Sequence, residues 1–170
     1  MISTLLISTL LLFTNCDSRY SVNEPTIEKP IQRTRSETHF PAKVIRIVDG
    51  DTLEVLYGEL PVMIRLAHVD SPEKKQAFGT KAKQALSDLC FGQEIEIEYK
   101  EKDRNGRYIC VIYKLDGTNI NQEMVKLGMA WHFKKYSNDD SYSELENQAR
   151  NNKVGLWQDP NPMAPWDWRK

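Results

Sequence analysis

Arg65-Leu66-Ala67-His68-Val69-Asp70-Ser71-Pro72-Glu73 places a guanidinium, two carboxylates and a ring-locked proline within nine residues. The apolar alternation Val62, Ile64, Leu66 leading into it predicts a half-buried strand over residues 62–68, with Arg65 on the face opposite Ile64 and Leu66. Pro72 has no N–H to give to a ladder, so residues 70–73 should turn away from the strand end. Carboxylates fixed on a rigid strand end are well placed to hold a hard cation or to orient a water molecule.

Two further turns carry the same chemistry. Val48-Asp49-Gly50-Asp51-Thr52-Leu53 sets two carboxylates around a glycine between apolar runs, and Asp-Gly is a strong hairpin signal. Asp103-Arg104-Asn105-Gly106-Arg107 separates two more strand-like runs. Taken singly, each has a bland reading: an Asp-Gly-Asp turn is usually only a turn, Arg65 and Glu73 could form an inconsequential surface pair, and residues 103–107 could be an ordinary hairpin. Taken together, acidic residues and arginines gathered on three turns suit metal-assisted attack on a phosphodiester.

The remaining pattern predicts a small barrel. Residues 42–48 and 52–57 read as paired strands, and Glu59-Leu60-Pro61 as the turn into the third. Phe78, Ala82, Ala85, Leu86 and Leu89 fall at helical spacing, with the helix following directly on Lys74 and ending at Gly92. Ile95, Ile97 and Tyr99 alternate with Glu94, Glu96 and Glu98 in a fourth strand, and residues 108–113 make a fifth. Ile120, Met124 and Leu127 stripe a second helix closed by Gly128, and residues 142–152 suggest a last one near Gly155. Five short strands with about three helices suit a closed barrel, which leaves no exposed sheet edge.

The stretches 48–52, 65–73 and 103–107, in that order, resemble the staphylococcal nuclease (thermonuclease) family. Asn119-Ile120-Asn121-Gln122-Glu123-Met124-Val125-Lys126-Leu127-Gly128-Met129-Ala130 downstream matches as well, so the likeness covers roughly residues 40–157. Any one motif alone is weak; all of them in order are specific. The resemblance implies a mainly β, five-stranded barrel of the oligonucleotide-binding type and a Ca²⁺-dependent nuclease acting on DNA and RNA. By the same resemblance, Asp51 and Asp70 are direct metal ligands and the Ser71 backbone carbonyl supplies another oxygen. Glu73 orients or deprotonates the attacking water, and Arg65 and Arg107 hold the phosphate from two sides, leaving 3′-phosphate ends. Asp49 and Asp103 read as second-layer or turn residues, and Arg104, Lys134 and Tyr136 as substrate contacts. Asn105 and Lys134 stand where a secreted member of the family carries nucleotide-binding tyrosines, so substrate preference departs from that member. Trp131, Phe133 and Tyr136 could offer a base platform, although aromatic residues at a helix end more often belong to the core.

The formal charge of −1, with 19 Lys/Arg and 20 Asp/Glu from Pro41 onward, argues against a broad basic surface. Nucleic-acid affinity must then be local or metal-assisted. The apolar run over residues 4–13 is shorter than a membrane span and fits a signal-peptide core. Cys16 follows it at Phe13-Thr14-Asn15-Cys16, in the manner of a bacterial lipoprotein processing site, with Asn15 where a small residue is expected. The expected organisation is a signal over residues 1–16, a polar tether over 17–39, the barrel domain over 40–157 and a Pro/Trp-rich tail over 158–170. That tail should pack back on the domain through Trp166 and Trp168. Export, membrane association through a lipid on Cys16, and a monomeric state follow as expectations. Cys90 and Cys110 either pair or remain buried thiols, and His68 reads as a wall residue. Two rivals stand beside the nuclease: a barrel that binds nucleic acid or protein without cleaving, and an envelope lipoprotein using the barrel as a spacer. The first predicts loss of the arginines or carboxylates, the second no Ca²⁺ binding at Asp51 and Asp70; neither explains the set retained here.

Overall fold

The computed structural model describes residues 38–170, so the apolar run, Cys16 and nearly all of the tether lie outside the described residues. In chain order the elements are β1 (His39–Ile47), β2 (Thr52–Tyr57), β3 (Leu60–Leu66), β4 (Val69–Asp70), α1 (Gly79–Cys90), β5 (Glu94–Lys102) and β6 (Tyr108–Lys114). Then come α2 (Ile120–Lys126), β7 (Trp131–His132), α3 (Asp140–Asn151), a 3₁₀ turn (Gly155–Gln158) and α4 (Pro165–Trp168). Five strands close a barrel in the order β1-β2-β3-β6-β5, β1 pairing with both β2 and β5. All contacts in it are antiparallel except β3 with β6, which run parallel. The architecture is therefore the mainly β, oligonucleotide-binding-type barrel that the sequence implies. Bulges in β1 between Val44 and Arg46 and in the β5–β6 pairing between Tyr99 and Glu101 supply the extra bend that closure requires.

The period-two alternation turns Val44, Leu53, Val55, Ile64, Leu66, Ile95, Ile97 and Ile112 into one buried interior. Helix α1 plugs it with Ala82, Leu86 and Cys90, and α2 with Ile120, Met124 and Val125. Burying each Leu, Ile or Val contributes about 1.5–3 kcal/mol, so this interior is the main source of stability. Cys90 and Cys110 are free and buried, and burial pushes both thiols up to about 12, which leaves them unreactive near neutral pH.

Three local expectations are corrected, and each correction shapes the site. The third strand begins at Leu60, not after Pro61, and ends at Leu66, not His68. Pro61 fits within it because β6 reaches β3 only from Ile64 onward, leaving that end of β3 with one free edge. His68 breaks the strand by adopting a left-handed φ of 67°, after which Val69 and Asp70 pair with β7. Gly50 is not a left-handed hairpin glycine: a Cβ there would come within 2.7 Å of the Ala82 Cβ and 2.8 Å of the Ser71 Cβ. Its lack of a side chain lets the 48–51 loop press against α1 and the carboxylate turn. Finally, α1 does not follow directly on Lys74. Residues 74–78 form turns first, because Gln76 accepts from the Glu73 N–H and donates to the Met163 carbonyl. Gly79 then passes so close that a Cβ would lie 2.0 Å from the Glu73 carbonyl oxygen.

Leu156, Trp157 and Ala164, beyond α3, form a second apolar cluster with Trp131 of β7 and Ala149 of α3. Trp166 stacks on Phe133, with ring planes 2° apart, and meets the Trp131 ring edge-on. Trp168 is half open to solvent.

Candidate active site

Arg65 is the hub of the strand-end cluster. Its Nη1 donates to the carbonyls of Leu66 and Val69 at 3.0 and 2.9 Å, spanning the break at His68. Its Nη2 lies 2.9 Å from Asp70 Oδ1 and 3.1 Å from Asp51 Oδ2. Oxygens from two turns, 48–51 and 70–73, thus converge on one nitrogen. The Asp51 carboxylate also accepts from the Ser71 N–H at 2.7 Å and the Thr52 hydroxyl at 3.1 Å, while Asp49 accepts from the Asp51 N–H. Ser71 closes the joint by donating its hydroxyl to the Gly50 carbonyl. Burial pushes the Asp51 carboxyl up to about 7, against the pull of Arg65 and with Asp49 and Asp70 adding repulsion.

Glu73 joins this cluster through a residue that the motif reading did not include. Arg169, just after α4, donates Nη1 to Glu73 Oε1 at 2.7 Å and to Asp70 Oδ1 at 3.2 Å, and Nη2 to Asp70 Oδ2 at 2.6 Å. Its guanidinium is held firmly protonated, first by the Asp70 hydrogen bonds and then, against burial, by Glu73. The sequence signal was Pro165-Trp166-Asp167-Trp168-Arg169-Lys170, an aromatic anchor followed at once by cations.

Arg107 stands apart from the cluster. It precedes β6 by one residue, and the register partner of Arg65 is Ile109, two residues further along the chain. The Arg107 side chain pairs with Asp103 at 2.8 Å within its own turn. Asp103 also accepts from the N–H groups of Asn105 and Arg107. Burial alone would raise the Asp103 carboxyl, but these bonds outweigh it and hold it below its ordinary value. Among the described residues, no hydrogen bond or ion pair links Arg107 to the carboxylates at the strand end. Arg104 and Asn105 are exposed on the same turn.

Asn121, inside the quoted downstream motif but given no role there, ties the two halves together. Its amide donates to the carbonyls of Ala67 and Cys110 and accepts from the Ile112 N–H, fully buried between β3, β6 and α2. His68 and His132 both meet the Ser137 hydroxyl, at 2.9 and 2.8 Å, and His132 also meets Ser143. His68 is thus tied to Ser137 just past the point where β3 ends. Lys134 and Tyr136 line an open groove of about 730 Å³ with Trp131, Phe133, Trp166 and Arg169. Through Arg169 this groove abuts the carboxylates.

Asp51, Asp70 and the Ser71 carbonyl offer only oxygen donors, the chemistry of a hard divalent cation. Their fit rests on two carboxylate oxygens already meeting at one cationic nitrogen. Among the described residues, no group of three or more His, Cys, Asp or Glu side chains is arranged to hold a metal ion. A cation here would therefore need the backbone carbonyl and water to complete its shell.

A family model described as staphylococcal nuclease homologue matches residues 63–159. A micrococcal nuclease of Shigella flexneri is 44% identical over 141 residues, covering 77% of this chain and 81% of its own length. An uncharacterized endonuclease of Haemophilus influenzae is 46% identical over 129 residues, covering 75% of this chain and 72% of its own. One of Escherichia coli O157:H7 is 42% identical over 127 residues, covering 75% and 83%.

Proposed function

Because the chain belongs to the staphylococcal nuclease family, we propose that it is an exported, Ca²⁺-dependent endonuclease that hydrolyses DNA, with RNA as a second substrate class, and leaves 3′-phosphate ends. The observation that carries this reading is the convergence of Asp51 Oδ2 and Asp70 Oδ1 on Arg65 Nη2, with Glu73 linked to the same Asp70 through Arg169.

Asp51, Asp70 and the Ser71 carbonyl would hold the Ca²⁺, which when bound would supply Lewis-acid neutralisation of the phosphate charge. Glu73 takes the proton from the attacking water. Arg65 grips a non-bridging phosphate oxygen from the strand end and Arg107 reaches in from the 103–107 turn. Their planar, permanently charged forks stabilise the extra negative charge of the five-coordinate phosphorus. The water oxygen bonds to phosphorus as the bond to the 5′ oxygen breaks; the departing 5′ oxygen takes a proton from solvent, and the phosphate stays on the 3′ side. Lys134 and Tyr136 guide the polynucleotide along the groove beside α4, where a cation and an aromatic ring suit backbone and base contacts. Export and attachment through Cys16 are supported by the apolar run over residues 4–13. A lasting anchor would need more than one acyl chain.

The test is cleavage of single- and double-stranded DNA and RNA by the full chain, with Ca²⁺ or excess chelator, alongside Glu73→Gln and Arg65→Ala. Ca²⁺-dependent cutting that leaves 3′-phosphates and collapses in both variants is expected. A folded, Ca²⁺-loaded protein that binds nucleic acid and does not cut it would instead establish a binding module.

A further inference from the structure

Both oxygens of Asp70 are engaged. Oδ1 takes Arg65 at 2.9 Å and Arg169 at 3.2 Å, while Oδ2 takes Arg169 at 2.6 Å. Guanidinium N–H groups thus take three of the roughly four lone-pair sites of this carboxylate, so a cation that coordinates Asp70 competes with them. Arg65 is 12% exposed and locked by two backbone carbonyls as well as two carboxylates, so releasing it would uncap the strand end. Arg169 is 41% exposed and sits just beyond a four-residue helix, with no backbone carbonyl among the described residues holding its guanidinium. Its position is nonetheless delivered rather than incidental: Trp166 stacks on Phe133, Ala164 is buried, and Gln76 binds the Met163 carbonyl at 2.6 Å. Gln76 is also the residue whose side chain accepts the Glu73 N–H, so one amide fixes both the Glu73 turn and the segment that carries Arg169.

We propose that Arg169 is a positioning residue of the active site, a tail-borne counter-cation that occupies Asp70 and Glu73 in the metal-free enzyme and gives up Asp70 when a divalent cation binds. The proposal rests on the metal-binding reading above. Asp49, Asp51, Asp70 and Glu73 crowd one end of the barrel against Arg65, and a second cation keeps that crowd in place until the metal arrives. Substrate and metal then find the carboxylates already gathered, at the expense of some metal affinity. A mere staple for the tail makes the opposite prediction, because loosening it could only disorder the ligands.

Calorimetric titration of Ca²⁺ into the full chain, without substrate, separates these roles. Arg169→Ala is expected to bind Ca²⁺ about tenfold more tightly than the wild type, since one charge-assisted competitor and one nearby positive charge are gone. Arg169→Lys keeps the charge and loses the fork, so its affinity falls between the two. Asp70→Asn abolishes the heat in every background, tying it to this site. In chelator, Arg169→Ala melts below the wild type, and saturating Ca²⁺ narrows the gap. Equal or weaker Ca²⁺ binding by folded Arg169→Ala and Arg169→Lys overturns the role of Arg169 and leaves the metal reading standing. Absence of Ca²⁺ binding by folded wild type and variants alike overturns the metal reading and the inference with it.

Discussion

Arg65 is buried among four oxygen acceptors contributed by β3, β4 and the 48–51 loop, whereas Arg107 is 32% exposed and closes a ring on its own turn through Asp103. The proposed mechanism brings both to the same phosphate, and the fold has prepared them differently. Arg65 is held in position before substrate arrives and also neutralises carboxylates that folding has buried. Arg107 is held only locally, by Asp103, a partner that the proposed mechanism has it exchange for a phosphate oxygen. A residue that both binds and supports the fold cannot be removed without losing both roles; a residue on a turn can be.

The sharpest test of that contrast is Arg65→Ala. Asp51 would be left buried without its cation, and removing one partner of a buried pair costs about 3–5 kcal/mol. Because Arg169 still neutralises Asp70, the lower end of that range is expected in urea unfolding with chelator, and Ca²⁺ should recover part of it. Cleavage should fall by about 10²–10³-fold, the usual loss for one charge-stabilising group. Arg107→Ala should lose cleavage by about 10²-fold while unfolding stability stays within about 1 kcal/mol, because a half-exposed pair contributes little. If Arg107→Ala proved as destabilising as Arg65→Ala, the contrast would be wrong.

Asn121 tests whether the two regions are held in register. Asn121→Ala leaves the Ala67 and Cys110 carbonyls and the Ile112 N–H without this partner in a buried site. A loss of about 3 kcal/mol in unfolding stability is expected. Cleavage at saturating Ca²⁺ and low temperature should fall too, since Ala67 leads into the turn bearing Asp70 while Cys110 belongs to the strand that Arg107 precedes. Unchanged turnover in the folded variant would show that the regions are placed independently.

The barrel was readable because its information is local and periodic: Val44, Leu53, Val55, Ile64, Leu66, Ile95 and Ile97 alternate as a strand face must. The two acidic turns and both arginines were readable for the same reason, as short motifs in a fixed order. What escaped is what depends on contacts distant in sequence. Gly50 looks like a turn former, yet its reason is the Ala82 and Ser71 side chains packed against it. His68 follows an apolar run as if to continue it and instead breaks it, because the chain must leave β6 and pair with β7. Arg169 lies 96 residues from Glu73, and nothing in the spacing of its neighbours announces a carboxylate partner. Asn121 was quoted for its place in a motif, but its reach to three backbone groups exists only after β3, β6 and α2 have packed.

The smallest effect concerns the histidine pair beside the site, and its sign distinguishes it from the carboxylates. Burial lowers His68 and His132 from the ordinary value of 6.5, with Asp139 pulling His68 the other way and Glu146 and Asp139 doing so for His132, while Lys134 reinforces the lowering of His132. Neutral rings share Ser137, so the folded chain binds fewer protons than the unfolded one just below pH 6.5. Their stabilisation is therefore complete above 6.5 and is lost as the pH falls through 6.5 toward the folded values. Asp51 acts oppositely in the metal-free chain: its carboxyl, raised to about 7, makes the fold more stable as the pH falls below 7. Asp103 and Asp139 enter only below about 3.8, where their lowered values begin to matter. In the wild type the histidine and Asp51 slopes partly cancel between pH 7 and 5. His132→Gln keeps a polar group toward Ser137 and removes one titration, so the wild-type-minus-variant difference in unfolding stability should decline from pH 7 to pH 5, free of the Asp51 contribution. A flat difference across that range would mean that the folded chain leaves the His132 ring as easily protonated as water does.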